Sequence, residues 1–222
     1  MLSFSPLKAV IWDMDGVLVD SLPTHFEAWR GILARLGYRY TYQEMTPYFG
    51  MTDVTVMRTI ADGRFSEEEI LALAHEKELL YQEMIAREAK PLPGVTAWLE
   101  NFRAAGLKQA VASSSVATSI SLILDAMRLN SYFDAVVSGE GGPSKPNPLV
   151  FLRAAQELGA APETCLVMED AVVGVRAAKA AGMRCVAVTT TNPPENLREA
   201  DLVVERLSQL TTNGLRAVLN NS

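Results

Sequence analysis

The chain has 222 residues, 49% of them hydrophobic, and a formal net charge of -6. That is long for one compact domain and comfortable for a domain carrying an insertion. The acidic balance excludes a general nucleic-acid binder, which needs clustered Lys and Arg, but admits an anionic small molecule held by a local cation.

The first segment, Met1-Leu2-Ser3-Phe4-Ser5-Pro6-Leu7-Lys8, lacks the charged, apolar and cleavage regions of a signal peptide. No apolar run reaches the length of about 18 residues that spans a bilayer. A cytoplasmic protein with no membrane partner is expected. Ala9-Val10-Ile11-Trp12 then reads as a buried strand, and Asp13-Met14-Asp15-Gly16 follows it directly. Two carboxylates separated by one residue raise each other's pKa or demand a cation. The pair suits a site where one carboxylate attacks, the other moves a proton, and a metal relieves the repulsion. The plainer reading is a solvated acidic corner.

From Thr24 to Leu36, Phe26, Trp29, Ile32, Leu33 and Leu36 recur at helical spacing and Gly37 ends the run. Ser66-Glu67-Glu68-Glu69 offers a capping box for a second helix continuing toward Ala86. No comparable strand lies between them. Pro91-Leu92-Pro93-Gly94 punctuates the chain. Strand-like runs then follow at Lys108–Ala112, Ala135–Ser138, Thr164–Met168, Arg184–Val188 and Leu202–Val204. Helical patterns over Pro148–Leu158 and Ala171–Ala181 stop at Gly159 and Gly182. Cys165 and Cys185 sit in apolar stretches as small buried side chains, although a disulfide or metal pair is the alternative.

Strands apolar on both faces, alternating with helices, predict an α/β fold. Its core is an open, Rossmann-like parallel sheet with helices on both faces, built from residues 1–20 and 91–222. An all-helical cap, residues 21–90, is inserted after the first strand. It leaves the sheet at its carboxyl edge, where such folds bind ligands.

Three more signals fall just past strand ends: Ser113-Ser114-Ser115, Ser144-Lys145-Pro146-Asn147-Pro148, and Glu169-Asp170. Each has a structural alternative, respectively a helix N-cap, a solvated loop charge, and a complement to a helix dipole. The topology brings all three to the edge that carries Asp13 and Asp15, and phosphoryl transfer needs these residue types together.

Asp13-x-Asp15-Gly16-Val17-Leu18-x-Asp20-Ser21, the serine run, Lys145-Pro146 and Glu169-Asp170-Ala171-x-x-Gly174 resemble the haloacid dehalogenase superfamily of phosphotransferases over essentially the whole chain. The insertion resembles the small helical cap of its β-phosphoglucomutase and phosphoglycolate phosphatase branch. The resemblance implies that Asp13 is the nucleophile and Asp15 the general acid and base. Ser113 and the amide of Ser114 would hold the phosphoryl group, and Lys145 would neutralise it and keep Asp13 ionised. It also implies Mg²⁺ held by Asp13, the backbone carbonyl of Asp15, and Asp170, with Glu169 completing or orienting that shell. Asp15 argues for an alkoxide leaving group over a halide, because only the alkoxide needs a proton.

In the cap, His25 stands where the mutase carries a substrate-proximal His. The Phe49-Gly50-Met51-Thr52-Asp53 segment departs from the mutase's anion-gripping Lys and Arg, and Gly50 is expected to line the substrate. The expectation is a Mg²⁺-dependent phosphatase of a small phosphorylated metabolite, a sugar or polyol phosphate, acting as a monomer or weak dimer. A sugar phosphomutase and a catalytically idle binding protein on the same fold are the alternatives.

Overall fold

The structure, a computed structural model, describes residues 4–220. Six strands form one wholly parallel sheet: β1 Ala9–Trp12, β2 Lys108–Ser113, β3 Ala135–Ser138, β4 Cys165–Glu169, β5 Arg184–Val188 and β6 Leu202–Val204. Their order is β3-β2-β1-β4-β5-β6, so the chain reverses direction of travel across β1. In such sheets the crevice at the strands' carboxyl ends, beside the reversal, is the ligand site. Register places Trp12 beside Val111 on one side and Met168 on the other. The residues that follow these three strands therefore emerge together.

The sheet is covered on both faces, as its strand composition requires. Val10, Trp12, Val111, Leu166 and Met168 enter one apolar cluster with Trp98, Leu99 and Phe102. Ala9, Ile11, Ala110, Cys165, Val167 and Cys185 enter another with Phe151, Ala154 and Val175. This alternation is the two-residue period of a strand buried on both sides. Both cysteines are free and buried.

Of the α-helices between β1 and β2, four precede Pro91: α1 Leu22–Arg35, α2 Tyr42–Met45, α3 Asp53–Ala61 and α4 Glu67–Glu88. Helix α1 begins two residues earlier than its apolar pattern suggests, because Pro23 fits a helix's first turn. The Ser66 capping box on α4 forms in both directions. Leu22, Trp29, Leu33, Met45, Phe49, Met57, Ile60 and Ile70 build a separate cap core. Phe49 packs into that core, its ring 5.5 Å from Tyr42. Helix α4 joins the two cores, since its Tyr81 and Ile85, together with Ala28 of α1, belong to the sheet's cluster. The remaining helices are α5 Val95–Ala104, α6 Ala117–Met127, α7 Leu149–Leu158, α8 Val172–Ala180 and α9 Thr212–Asn220. Among the described residues, no helix is long and apolar enough to cross a membrane.

Candidate active site

The four strand-end signals meet at one edge. Past β1, which ends at Trp12, Asp13 and Asp15 meet different partners. Asp13 faces the core. The Lys145 ammonium donates to Asp13 Oδ1 and to Glu169 Oε1, both at 2.6 Å. Glu169 accepts in turn from the backbone N–H groups of Asp170 and Ala171 at 2.7 and 2.8 Å. Asp170 is held by the Thr191 hydroxyl, and its carbonyl accepts from Asn192 Nδ2 at 3.2 Å. All four charged groups are buried.

Two glycines let these groups approach. Gly16 adopts a φ of 81°, and a Cβ there would overlap the Asp170 carboxylate. A Cβ at Gly174, on α8, would overlap Glu169.

Charge on this side does not balance. Asp13, Glu169 and Asp170 bring carboxylate oxygens within 4.8 Å of one another, against one ammonium. Burial, reinforced by Glu169 and Asp15, pushes Asp13 up to about 8 in spite of Lys145. Burial, with Glu169 and Asp13 beside it, raises Asp170 well above the ordinary carboxylate range. Burial alone would depress Lys145, but the carboxylates of Asp13 and Glu169 hold it above its ordinary value. One ammonium does not offset the charge of three neighbouring carboxylates. An all-oxygen donor set with excess negative charge suits a hard divalent cation. The residues present fit Mg²⁺, with Asp13 and Asp170 as donors and Glu169 engaged with Lys145.

Asp15 faces the cap. Its Oδ1 accepts from Ser21 Oγ at 2.5 Å and Tyr81 Oη at 3.2 Å, and lies 3.3 Å from His25 Nε2. Its Oδ2 accepts from Ser115 Oγ at 3.1 Å and Ser113 Oγ at 3.5 Å. Burial would raise this carboxyl, yet His25 and the hydroxyls of Ser21 and Ser115 hold it below the usual carboxylate range. Beyond His25, whose ring stacks on Tyr81 at 3.8 Å, Lys77 Nζ lies 2.7 Å from His25 Nδ1 and donates to both carboxylate oxygens of Asp53 at 2.9 Å.

Further hydrogen bonds seat the cap on the sheet edge, beside those of His25 and Tyr81 to Asp15. Ser114 Oγ donates to the Gly50 carbonyl at 2.7 Å, and the Thr52 amide donates to Ser144 Oγ at 3.0 Å. Between cap and sheet lies a cavity of about 890 Å³ lined by Asp13, Asp15, His25, Gly50 and Ser114. Phe49 and Met51 also line it. Every sequence-predicted site residue thus lies at the edge or the cavity.

The sequence reading missed Lys77, Tyr81 and Thr191, and named Ser21, Asp53 and Ser115 only within motifs, without a role at Asp15 or Lys77. One signal existed for Lys77. Ile70, Ala74, Lys77, Tyr81 and Ile85 form one buried stripe on α4, and a lysine on an apolar stripe must be paired.

The haloacid dehalogenase-like hydrolase family pattern matches residues 7–182. A fructose-1-phosphate phosphatase of Escherichia coli strain K12 is 35% identical over 180 residues, covering 81% of this chain and 95% of that protein. A β-phosphoglucomutase of Bacillus subtilis strain 168 is 32% identical over 213 residues, 92% of each chain. In structure, the chain is similar to a β-phosphoglucomutase from Clostridium difficile with a TM-score of 0.87 and 28% identity, over 96% of this chain and 97% of that one.

Proposed function

The chain belongs to the haloacid dehalogenase-like hydrolases, and from that premise we propose that it is a Mg²⁺-dependent phosphatase of a small phosphorylated metabolite, a sugar or polyol phosphate. The observation that carries the reading is the separation of the two carboxylates. Asp13 is bound to Lys145 among carboxylates, and Asp15 is bound to hydroxyls and His25 at the cap side.

In the first step an Asp13 oxygen forms a bond to phosphorus, the ester P–O bond breaks, and Asp15 delivers a proton to the departing alkoxide. In the second step Asp15 takes a proton from water, whose oxygen bonds to phosphorus as the Asp13–phosphorus bond breaks. Asp15 sits in the ionised form that the second step requires, so it must gain a proton before the first. Lys145, Ser113 and the Ser114 amide stabilise charge on the phosphoryl oxygens. Bound Mg²⁺ would supply Lewis-acid stabilisation of that charge and keep Asp13 ionised. The cap, residues 21–90, closes on the sheet edge and excludes bulk water. The cavity's volume of about 890 Å³ lies in the range usual for small-molecule sites, and the fructose-1-phosphate phosphatase relative supports a sugar phosphate. We assign the protein to the cytoplasm, where two free, buried thiols stay reduced.

A phosphomutase is the second reading, favoured by the similarity to β-phosphoglucomutases. A panel of sugar and polyol phosphates, assayed for inorganic phosphate, tests the first reading. Conversion of β-glucose 1-phosphate to glucose 6-phosphate in the presence of the bisphosphate, without phosphate release, would establish the second instead.

A further inference from the structure

Behind the general acid the contacts run from Asp15 to His25, from His25 to Lys77 and from Lys77 to Asp53, with the buried Glu78 also 3.8 Å from Lys77. Lys77 is fully buried on α4, while Asp53, the first residue of α3, is partly exposed and lines the cavity. The cation therefore sits behind the wall and its carboxylate partner sits in front. Among the described residues, Arg58 is the one Lys or Arg lining the cavity, and Glu67 pairs with it. Against it stand the carboxylates of Asp13, Asp15, Asp53, Glu67, Glu78 and Glu140.

We propose that Asp53 is a specificity-determining residue that masks Lys77 and turns the leaving-group end of the cavity into a surface that accepts hydroxyl donors and rejects a second anion. The proposal rests on the phosphatase reading for the placement of the substrate phosphate at Asp13. The leaving-group oxygen then lies at Asp15, and the body of the substrate extends past His25 toward Asp53. An ionised carboxylate is acceptor-only with about four lone-pair positions, of which Lys77 takes two. The remainder suit the O–H groups of a neutral sugar or polyol. A second phosphate or a carboxylate would meet like charge, with no unpaired Lys or Arg among the described residues lining the cavity to offset it. The substrate class is then monophosphates of neutral polyhydroxylated molecules, and sugar bisphosphates and phosphorylated acids are poor ligands.

Calorimetric titration with fructose 1-phosphate and fructose 1,6-bisphosphate tests this, using Asp13→Asn protein with Mg²⁺ so that no turnover intervenes. The expected result is binding of the monophosphate at least about tenfold tighter than the bisphosphate. Adding Asp53→Asn unmasks Lys77 and should shift that ratio toward the bisphosphate by about tenfold or more, and adding Lys77→Met as well should remove the gain. Equal or tighter binding of the bisphosphate with Asp53 intact would overturn the proposal. So would an unchanged ratio in the Asp53→Asn protein, or absence of monophosphate binding. If Asp53→Asn fails to fold, the comparison with Asp53 intact decides. Phosphate release by the unsubstituted protein reports on the phosphatase reading separately, so the two failures are distinguishable.

Discussion

Lys77 Nζ lies 2.7 Å from Nδ1 of His25, and that contact fixes where the imidazole carries its proton. An ammonium has no lone pair, so Nδ1 must be the acceptor and Nε2 must bear the hydrogen. Nε2 then donates to Asp15 Oδ1 at 3.3 Å. Burial and the Lys77 charge both hold His25 below the ordinary histidine value, which agrees with a neutral ring. His25 is thus a fixed donor to the proton-transferring carboxylate, oriented from the cap.

Loss of this donor should matter in proportion to how much the leaving group needs a proton. His25→Ala is expected to lower kcat on a sugar phosphate by about 10²-fold. On p-nitrophenyl phosphate, whose phenolate leaves with little help, the loss should stay under about tenfold. Parallel steady-state assays on both substrates check this. Equal losses would show that His25 does not act through Asp15.

Lys145 is the one ammonium among three buried carboxylates. Lys145→Met should destabilise the protein by about 3 kcal/mol, because it leaves buried charge without its partner. Urea unfolding in the presence of a chelator measures the change. Mg²⁺ should restore part of the loss.

Close packing at Gly174 makes a sharper comparison. Gly174→Ala places a methyl group on the Glu169 carboxylate, displacing the group that holds Lys145, and should cost about 1–3 kcal/mol. Gly31 lies within α1 with nothing within 4 Å of an added Cβ. Gly31→Ala should instead stabilise by about 0.5–1 kcal/mol. Thermal unfolding of the two variants is expected to move in opposite directions.

The excess negative charge around Asp13 and Asp170 predicts that Mg²⁺ raises the Tm. At about 100 times its Kd, the ion should add about 2.7 kcal/mol. Asp170→Asn should remove most of that stabilisation, and chelation should abolish turnover. A Tm that ignores Mg²⁺ in the unsubstituted protein would count against the metal assignment.

The sheet and its edge were legible because buried parallel strands announce themselves as short apolar runs, and polar residues at their ends stand out. Asp13, Ser113, Lys145, Glu169 and Asp170 were all found that way. The cap was harder. Its helix α3 carries Thr and Val residues that weaken the helical signal, and its start is set by the Thr52 side chain accepting from the Thr55 amide. Lys77 and Asp53 lie 24 positions apart in sequence, so no local pattern pairs them. Only the packing of α3 against α4 does so. The same limit hid Tyr81, and hid that Ser115 of the serine run joins it at Asp15, the two hydroxyls reaching that carboxylate from opposite sides of the cap–sheet boundary.

The central claim is that Asp13 attacks phosphorus while Asp15 handles protons, and one comparison tests it most directly. Phosphate release from p-nitrophenyl phosphate with Mg²⁺ should be readily measured for the unsubstituted protein. It should fall to background for Asp13→Asn, with the thermal unfolding curve of that variant intact. Turnover by Asp13→Asn comparable to that of the unsubstituted protein would contradict the account.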